Sequence, residues 1–219
     1  MPRVLDLLAA EYGQPRVRRR PPLDELVLTI LSQNTSDVNR DRAYAAMRER
    51  FPTWKAVMEA PVEDLEDALR PGGLARQKAP RIQAVLAAVA AEGHGLDLGW
   101  LAKRPADEAM RWLTALPGVG LKTASIVLLF SFGEPVVPVD THVYRVAGRL
   151  GLIPPGTTVD RAHALLTAQT PPDRMLEGHL LLIEHGRRIC QARRPRCEVC
   201  PLRRGCPYGR RLLAGSTGG

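Results

Sequence analysis

Helical periodicity, interrupted at short intervals by proline or glycine, is the feature that most constrains this chain. Between residues 23 and 31, for example, apolar residues recur at the spacing of one helix face. The alternation typical of strands is nearly absent, so the sequence predicts an all-α fold. Further helices are predicted over 3–12, 37–50, 53–60, 62–70, 76–92, 105–114, 121–132, 141–151, 158–169 and 173–189. The tail after Cys206 ends in Gly-Ser-Thr-Gly-Gly and is expected to be mobile.

The charge of the chain favours a polyanionic partner, although a soluble basic protein without one is also compatible with it. The 219 residues include 31 Lys and Arg against 23 Asp and Glu, a formal net charge of +8. All but four of these cations are arginines, whose planar guanidinium can bind two phosphate oxygens at once. No apolar stretch approaches the ~20 residues that span a bilayer, so we expect no membrane partner. The N-terminus shows no signal-peptide pattern, which favours a cytoplasmic protein.

All four cysteines lie close together, at Cys190, Cys197, Cys200 and Cys206, with six, two and five residues between them. They could pair as two disulfides in a secreted protein, but nothing in the sequence indicates secretion. Clustered thiols in a reducing cytosol indicate a metal site instead. Thiolates at this spacing can bind zinc tetrahedrally or hold an iron–sulfur cluster, and the spacing alone does not decide between them.

The stretch Leu-Pro-Gly-Val-Gly-Leu-Lys-Thr-Ala, residues 116–124, joins two predicted helices. Gly118 and Gly120 flank Val119 and allow the backbone to approach another molecule closely. Amides at the start of the next helix can then donate to a DNA phosphate. The same glycines also fit a tight helix–helix turn that binds nothing. Lys122 lies two residues after Gly120, and an unprotonated lysine amine is a nucleophile that can form an imine.

Asp140 lies in the segment Val-Asp-Thr-His, directly before the apolar pattern of another predicted helix. An aspartate at this position can cap the helix, an interaction worth ~1 kcal/mol. A carboxylate can also act in catalysis, by taking up a proton or by stabilising positive charge that develops on a reacting group. The two roles are compatible, because a cap holds the carboxylate in a fixed rotamer.

Taken together, the hairpin, the Val-Asp-Thr-His segment and the cysteine spacing resemble the endonuclease III family of helix-hairpin-helix DNA glycosylases and AP lyases. The resemblance runs from about residue 3 to Cys206. It implies that Lys122 is the nucleophile, that Asp140 is the essential carboxylate, and that the four cysteines hold a 4Fe-4S cluster. The hairpin residues Gly118, Val119 and Gly120 would contact DNA.

The resemblance also implies two helical lobes with the active site in the cleft between them. One lobe is a six-helix barrel over 22–133, and the other combines 1–21 and 134–219 and holds the cluster. The implied partner is double-stranded DNA with a damaged base or an abasic site. The family further implies a monomer of bacterial or archaeal type, working in the cytoplasm in association with the nucleoid.

Enzymes that act on a base inside a duplex flip it out and fill the gap. Leu74, in Gly-Leu-Ala-Arg-Gln-Lys-Ala, matches the family's wedging leucine, although a core leucine at a helix start has the same pattern. Many members carry Ser-x-Gln-x-Thr-Asp in a second loop. Alignment on Ser32 and Asp37 puts Asn34 at the gap-filling position and Gln33 one residue earlier. Because asparagine is one methylene shorter than glutamine, we expect the gap to be filled less well.

Three arginines lie between the first two cysteines, at Arg193, Arg194 and Arg196. On a short loop fixed by a metal centre they would form a cationic surface for a phosphate backbone. They can equally compensate the negative charge of a cluster held by four thiolates. His179 and His185 lie six residues apart, a spacing that favours packing and hydrogen bonding over metal binding.

The expected activity is removal of an oxidised pyrimidine, such as thymine glycol, followed by nicking 3′ to the site. The nick would arise by β-elimination from a Schiff base on Lys122. A monofunctional glycosylase of the same superfamily is an alternative, but such relatives lack a lysine at the hairpin position. A non-enzymatic DNA-binding protein is another alternative, and the presence of both Lys122 and Asp140 argues against it.

Overall fold

The computed structural model describes residues 1–17 and 19–216, and the regular structure in these ranges is entirely helical. The α-helices of this part of the chain are α1 (Pro2–Tyr12), α2 (Pro22–Leu31), α3 (Asp37–Arg50), α4 (Trp54–Glu59), α5 (Val62–Leu69), α6 (Ala75–Val89), α7 (Ala106–Ala115), α8 (Leu121–Val127), α9 (Thr141–Leu150), α10 (Val159–Gln169), α11 (Met175–Arg188) and α12 (Pro207–Ser216). Turns of 3-10 helix lie at Arg70–Gly72, Gly99–Lys103, Pro172–Arg174 and Cys197–Val199, and wider π-type turns follow α6 and α8 at Ala90–His94 and Leu128–Phe132. The predicted all-α fold is confirmed.

The prediction for the C-terminal tail is wrong. Residues 207–216 form helix α12 instead of a mobile segment, and residues 217–219 lie outside the described part of the chain. Pro207 begins the helix, at the position where the fixed φ of proline suits a helix start. Tyr208 then lies under the guanidinium of Arg149, 4.4 Å from the ring centroid, which attaches α12 to α9.

The chain divides into two compact units, Arg19–Glu134 and Met1–Arg18 with Pro135–Gly219. Arg18 lies outside the described residues. The assignment of 22–133 to a six-helix barrel domain, and of 1–21 with 134–219 to a cluster domain, stays a prediction. No helix in the described ranges is both long enough and apolar enough to cross a membrane.

Helix α2 forms the centre of the unit 19–134. Its apolar residues Leu26, Val27, Ile30 and Leu31 are fully buried, and α3, α6 and α8 pack around it. A helix that is apolar on nearly every side is stable only when it is enclosed in this way. The arrangement brings the C-terminal end of α2, the start of α6 and the α7–α8 hairpin together in one unit.

Helix α11 organises the other unit, since α1 and α9 both pack against it. The apolar face of α1 contributes Leu5 and Leu8 to the core. Arg174 adds an ion-pair link, because its guanidinium contacts Asp6 of α1 at 2.6 Å and Glu177 of α11 at 2.7 Å. These contacts attach the N-terminal helix to a segment more than 150 residues further along the chain.

Candidate active-site and cysteine-loop residues

The turn between α7 and α8 has one fixed shape. Gly118 has φ +69°, and a Cβ at this position would overlap the side chain of Arg81. A residue with a side chain is therefore disfavoured both by the backbone conformation and by the space available. Val119 is buried, and its amide donates to the carbonyl of Leu116 at 3.1 Å. The turn is thus anchored in the core through Val119, while Gly118 and Gly120 remain exposed.

Lys122 is the second residue of α8 and is half-buried. Thr123 and Ala124, the next residues, are buried, so the backbone that carries the lysine is fixed by packing. Within the described residues of its unit, Lys122 makes no ion pair. A primary amine therefore stands two residues beyond the exposed Gly120, and no carboxylate of the unit forms an ion pair with it.

Asp140 caps helix α9, as the sequence predicts. Its Oδ1 accepts a hydrogen bond from the amide of Val143 at 2.7 Å, and its own backbone is extended. The cap orients the carboxyl group and involves only one of its two oxygens. The arrangement leaves Oδ2 available for chemistry, and the catalytic role stays a prediction.

Two buried histidines hold the backbone that leads into Asp140. The carbonyl of Val137 lies 3.1 Å from Nδ1 of His163, and the carbonyl of Pro138 lies 2.9 Å from Nδ1 of His179. Burial lowers the pKa of His163, which favours the neutral imidazole. The prediction that His179 packs and hydrogen-bonds is confirmed. His163 was missed, because no local pattern connects it to a segment 26 residues away.

The two candidate gap-filling residues share an unusual backbone conformation. Asn34 has φ +53° and Leu74 has φ +54°, and no other non-glycine residue in the described part of the chain has a positive φ. Leu74 is 44% exposed, so the alternative of a core leucine is wrong. Gln33 differs from both, because its Oε1 accepts a hydrogen bond from Arg81 at 2.8 Å. The structure therefore anchors Gln33 and exposes Asn34.

All four cysteine side chains line one cavity of the cysteine-containing unit. Cys197 and Cys206 are buried, and Cys190 and Cys200 are half-buried. Burial raises the pKa of the Cys200 thiol to about 11 and also raises that of Cys197, so the thiolate form of both is disfavoured, and a bound cation or cluster would favour it. In the described ranges, no three His, Cys, Asp or Glu side chains are arranged as ligands of a single metal ion.

Nitrogen atoms face three of these sulfurs. Nη1 of Arg149 lies 3.3 Å from Sγ of Cys190, and Nε2 of His185 lies 3.6 Å from Sγ of Cys200. The amide of Gly209 donates to Sγ of Cys206 at 3.3 Å. Hydrogen bonds from N–H groups to sulfur are how proteins stabilise cluster thiolates, so the surroundings of the cysteines fit such a ligand set. Nδ1 of His185 bonds the hydroxyl of Tyr12, which confirms its predicted hydrogen-bonding role.

The loop after Cys190 is held in place by hydrogen bonds from a side chain of helix α9. The guanidinium of Arg149 donates to the carbonyls of Gln191 at 2.7 Å and Ala192 at 2.9 Å. The three arginines that follow, Arg193, Arg194 and Arg196, are exposed. A loop with a fixed backbone therefore presents three cationic side chains to solvent. The role of Arg149 was missed, since nothing in its local sequence points to a loop more than 40 residues away.

Comparison with known protein families supplies the deciding observation. Residues 27–172 match the family described as HhH-GPD superfamily base excision DNA repair protein. The chain belongs to this family. The matched range includes the hairpin, Lys122 and Asp140.

This HhH-GPD member is similar to endonuclease III of Thermotoga maritima, with 36% identity over 90% of this chain and 87% of that protein. Endonuclease III of Escherichia coli K12 is 34% identical over 85% of this chain and 84% of its own length. A solved structure described as a non-covalent endonuclease III–DNA complex aligns with a TM-score of 0.85 and 31% identity, covering 97% of this chain and 96% of that one. The resemblance to endonuclease III is confirmed, and the chain is an endonuclease III-like base excision repair DNA glycosylase.

Proposed function

We propose that this glycosylase also has AP lyase activity and that it removes oxidised pyrimidines, such as thymine glycol, from double-stranded DNA. The position of Lys122 carries the proposal: a primary amine on the first turn of α8, next to the exposed Gly118 and Gly120. A monofunctional glycosylase needs no amine there, since water is its nucleophile. The similarity to a structure of endonuclease III with DNA supports duplex DNA as the partner.

In the proposed reaction Nζ of Lys122 attacks C1′ of the damaged nucleotide. The C1′–N bond breaks, and the base leaves with the bonding electrons and gains a proton. Opening of the sugar at its ring oxygen then gives an imine between Nζ and C1′. Loss of a proton from C2′ and departure of the 3′ phosphate break the C3′–O bond, which is the nick. Water hydrolyses the imine and restores the lysine.

We assign the essential carboxylate to Asp140. Its Oδ1 is engaged by the amide of Val143, which fixes the rotamer, while Oδ2 remains for interaction with the reacting sugar. A fixed carboxylate can stabilise the positive charge that develops on the sugar as the base leaves.

DNA contacts are assigned to the hairpin and to the arginine loop. Amides after Gly118 and Val119, at Gly120 and the start of α8, would donate to one backbone phosphate. Arg193, Arg194 and Arg196 would contact further phosphates through charge. Asn34 and Leu74 would fill the space left by the flipped base, while Gln33 supports the loop through Arg81.

The triple variant of Arg193, Arg194 and Arg196 to glutamine is expected to bind duplex DNA more weakly and with a shallower dependence on salt. Each lost phosphate contact reduces the slope of log Kd against log salt by ~0.9. The measurement is fluorescence anisotropy with a labelled duplex over a range of salt concentrations. The matched control changes three exposed arginines that pair with carboxylates, Arg50, Arg111 and Arg188. Equal slopes for the two triple variants would remove the arginine loop from the DNA interface.

We propose a 4Fe-4S cluster as the ligand of the four cysteines. When bound, it would hold the 190–206 loop in place, while the chemistry of base removal stays with Lys122 and Asp140. Gly209 suits this role, because a Cβ there would lie 3.7 Å from Sγ of Cys206 and 3.8 Å from Sγ of Cys197. A larger side chain at 209 would fill space facing the sulfurs.

Protein purified without oxygen is expected to contain about four iron atoms per chain and to absorb broadly in the visible region. Cys197→Ala should lose both the iron and the absorption, and its melting temperature should fall because the loop loses its cross-link. Val199→Ala is the matched control, since Val199 lies in the same helical turn and is 51% exposed. Zinc in place of iron in the parent protein would contradict the assignment.

The activity is tested with a duplex that contains one thymine glycol. Incubation with borohydride should trap a covalent protein–DNA adduct on a denaturing gel, and incubation without it should give a nick 3′ to the lesion. An adduct with an abasic site alone would retain the lyase and exclude this lesion. No adduct with either substrate would overturn the lyase.

We also expect a monomer associated with the nucleoid, which sedimentation and imaging of the labelled protein would check.

A further inference from the structure

Lys78 is the one lysine of the unit 19–134 that is fully buried among its described residues. It lies on the first turn of α6, and only 2% of its surface is exposed. Burial lowers the pKa of its ammonium, yet no carboxylate within the described part of its unit forms an ion pair with it. Placing a cation in a protein core without a counter-charge is costly, so its contacts must offset that cost.

The ammonium of Lys78 is held by two backbone carbonyls from different segments. Nζ donates to the carbonyl of Leu31 at 2.8 Å and to that of Gly72 at 3.0 Å. Leu31 ends α2, and Ser32 and Gln33 already satisfy the three carbonyls before it. Lys78 therefore completes the end of α2, where four carbonyls have no partner within the helix.

Each of these segments leads directly to a gap-filling residue. The Asn34 loop (residues 32–36) starts after Leu31, and the Leu74 loop (residues 70–74) contains Gly72. Asn34 and Leu74 both have a left-handed backbone, which is unfavourable for a leucine. Such conformations persist only where neighbouring contacts hold the chain on both sides. The amide of Lys78 also donates to the carbonyl of Leu74 at 2.9 Å, so one residue contacts the Leu74 loop twice.

We infer that Lys78 is a positioning residue that fixes the Asn34 loop and the Leu74 loop relative to each other, so that both side chains enter the opened duplex together. This inference rests on the proposed function, because it concerns how the duplex is held open. One ammonium bonded to the last residue of α2, directly before the Asn34 loop, and to Gly72 of the Leu74 loop sets the distance between the two loops. An apolar residue at 78 would fill the same volume but would leave the two carbonyls without a donor.

The first test measures duplex opening without any bond breaking. A duplex with a stable abasic analogue opposite 2-aminopurine becomes more fluorescent when the opposite base is unstacked. The parent protein should raise the fluorescence on binding. Lys78→Met should bind the same duplex and lose most of that rise. Val85→Ala, which alters a fully buried residue of the same helix, should retain the rise. A parent protein that gives no rise, or a Lys78→Met variant that gives the parental rise, would overturn the inference.

The second test compares nicking of thymine glycol in a fully paired duplex and in a duplex already opened by flanking mismatches. Lys78→Met should lower the ratio of the two rates about tenfold, because loop placement matters only while the duplex must be opened. Val85→Ala should lower both rates together and leave the ratio unchanged. If Lys78→Met only destabilised the protein, it would also lower both rates together and leave their ratio unchanged. An unchanged ratio in Lys78→Met would therefore overturn the inference.

Lys78→Gln provides a second variant, since it keeps one donor group and should lie between Met and the parent protein. If neither variant folds, as judged by circular dichroism, Lys78 is a folding residue and the inference is wrong. A parent protein that nicks neither duplex would overturn the proposed lyase instead. The fluorescence experiment would still decide the role of Lys78 in that case.

Discussion

Lys122→Gln is expected to abolish both strand nicking and the borohydride-trapped adduct, while binding to duplex DNA stays nearly unchanged. The amine supplies the atom that becomes bonded to C1′, and an amide nitrogen is not nucleophilic, so the rate should fall by ~10³-fold or more. Binding should persist because the exposed glycines of the hairpin, Gly118 and Gly120, are unaltered. Single-turnover nicking of an abasic duplex measures the chemistry, and anisotropy measures binding.

Lys103→Gln provides the matched control, since it makes the same change in charge at an exposed residue of the same unit. It should nick at the parental rate. Lys122→Arg adds a second comparison, because a guanidinium keeps the charge but stays protonated and cannot attack. It should bind at least as well as Lys122→Gln and remain inactive. Parental nicking by either Lys122 variant would mean that another group forms the imine.

The features that sequence predicted well are those set by neighbouring residues. The hairpin turn depends on Gly118, whose positive φ is a local requirement, and the cap of α9 depends on Asp140 and the amide of Val143 three residues later. Helix limits were predicted within a few residues for the same reason, because proline, glycine and capping side chains act on the adjacent turn. Ser36, for example, caps α3 as its position before Asp37 indicates.

The residues that sequence missed act on partners far along the chain. Lys78 bonds a carbonyl 47 residues away, Arg81 bonds Gln33 at a separation of 48, and Arg149 bonds the cysteine loop at separations above 40. Most of these partners are backbone carbonyls, which every residue has, so no residue type in the partner segment signals the contact. A single sequence therefore identifies the chemical groups of this site better than the side chains that position them.

The backbone at Asn34 and Leu74 shows a similar limit. The motif resemblance selected both residues, yet nothing in their residue types predicted that both would be left-handed. Asparagine tolerates that conformation, but leucine rarely adopts it. Close packing lies two residues before Leu74, at Gly72, where a Cβ would lie only 2.9 Å from Cβ of Ala43. Local preference does not account for the left-handed leucine, and the close packing at Gly72 is a tertiary contact that a single sequence does not reveal.

Asp140→Asn is expected to lower the rate of base removal by ~10²–10⁴-fold while leaving the melting temperature within a degree or two of the parent. Asparagine caps a helix about as well as aspartate, so its side-chain oxygen can still accept from the amide of Val143. The amide carries no negative charge and cannot stabilise a cationic sugar. Single-turnover excision of thymine glycol and thermal unfolding measure the two effects.

Asp140→Ala is the complementary variant for separating the capping role from the catalytic role, because it removes both the cap and the carboxylate. Its activity should fall by the same factor as that of Asp140→Asn. In addition, its free energy of unfolding should be lower than that of the parent protein by ~1 kcal/mol. The matched control for the cap is Thr158→Ala at the start of α10, where the side chain accepts from the amide of Arg161 at 3.3 Å. That variant should lose stability and keep its activity. Asp140→Asn with parental activity would show that Asp140 serves the fold of α9 alone, since the cap would then account for everything that the residue does.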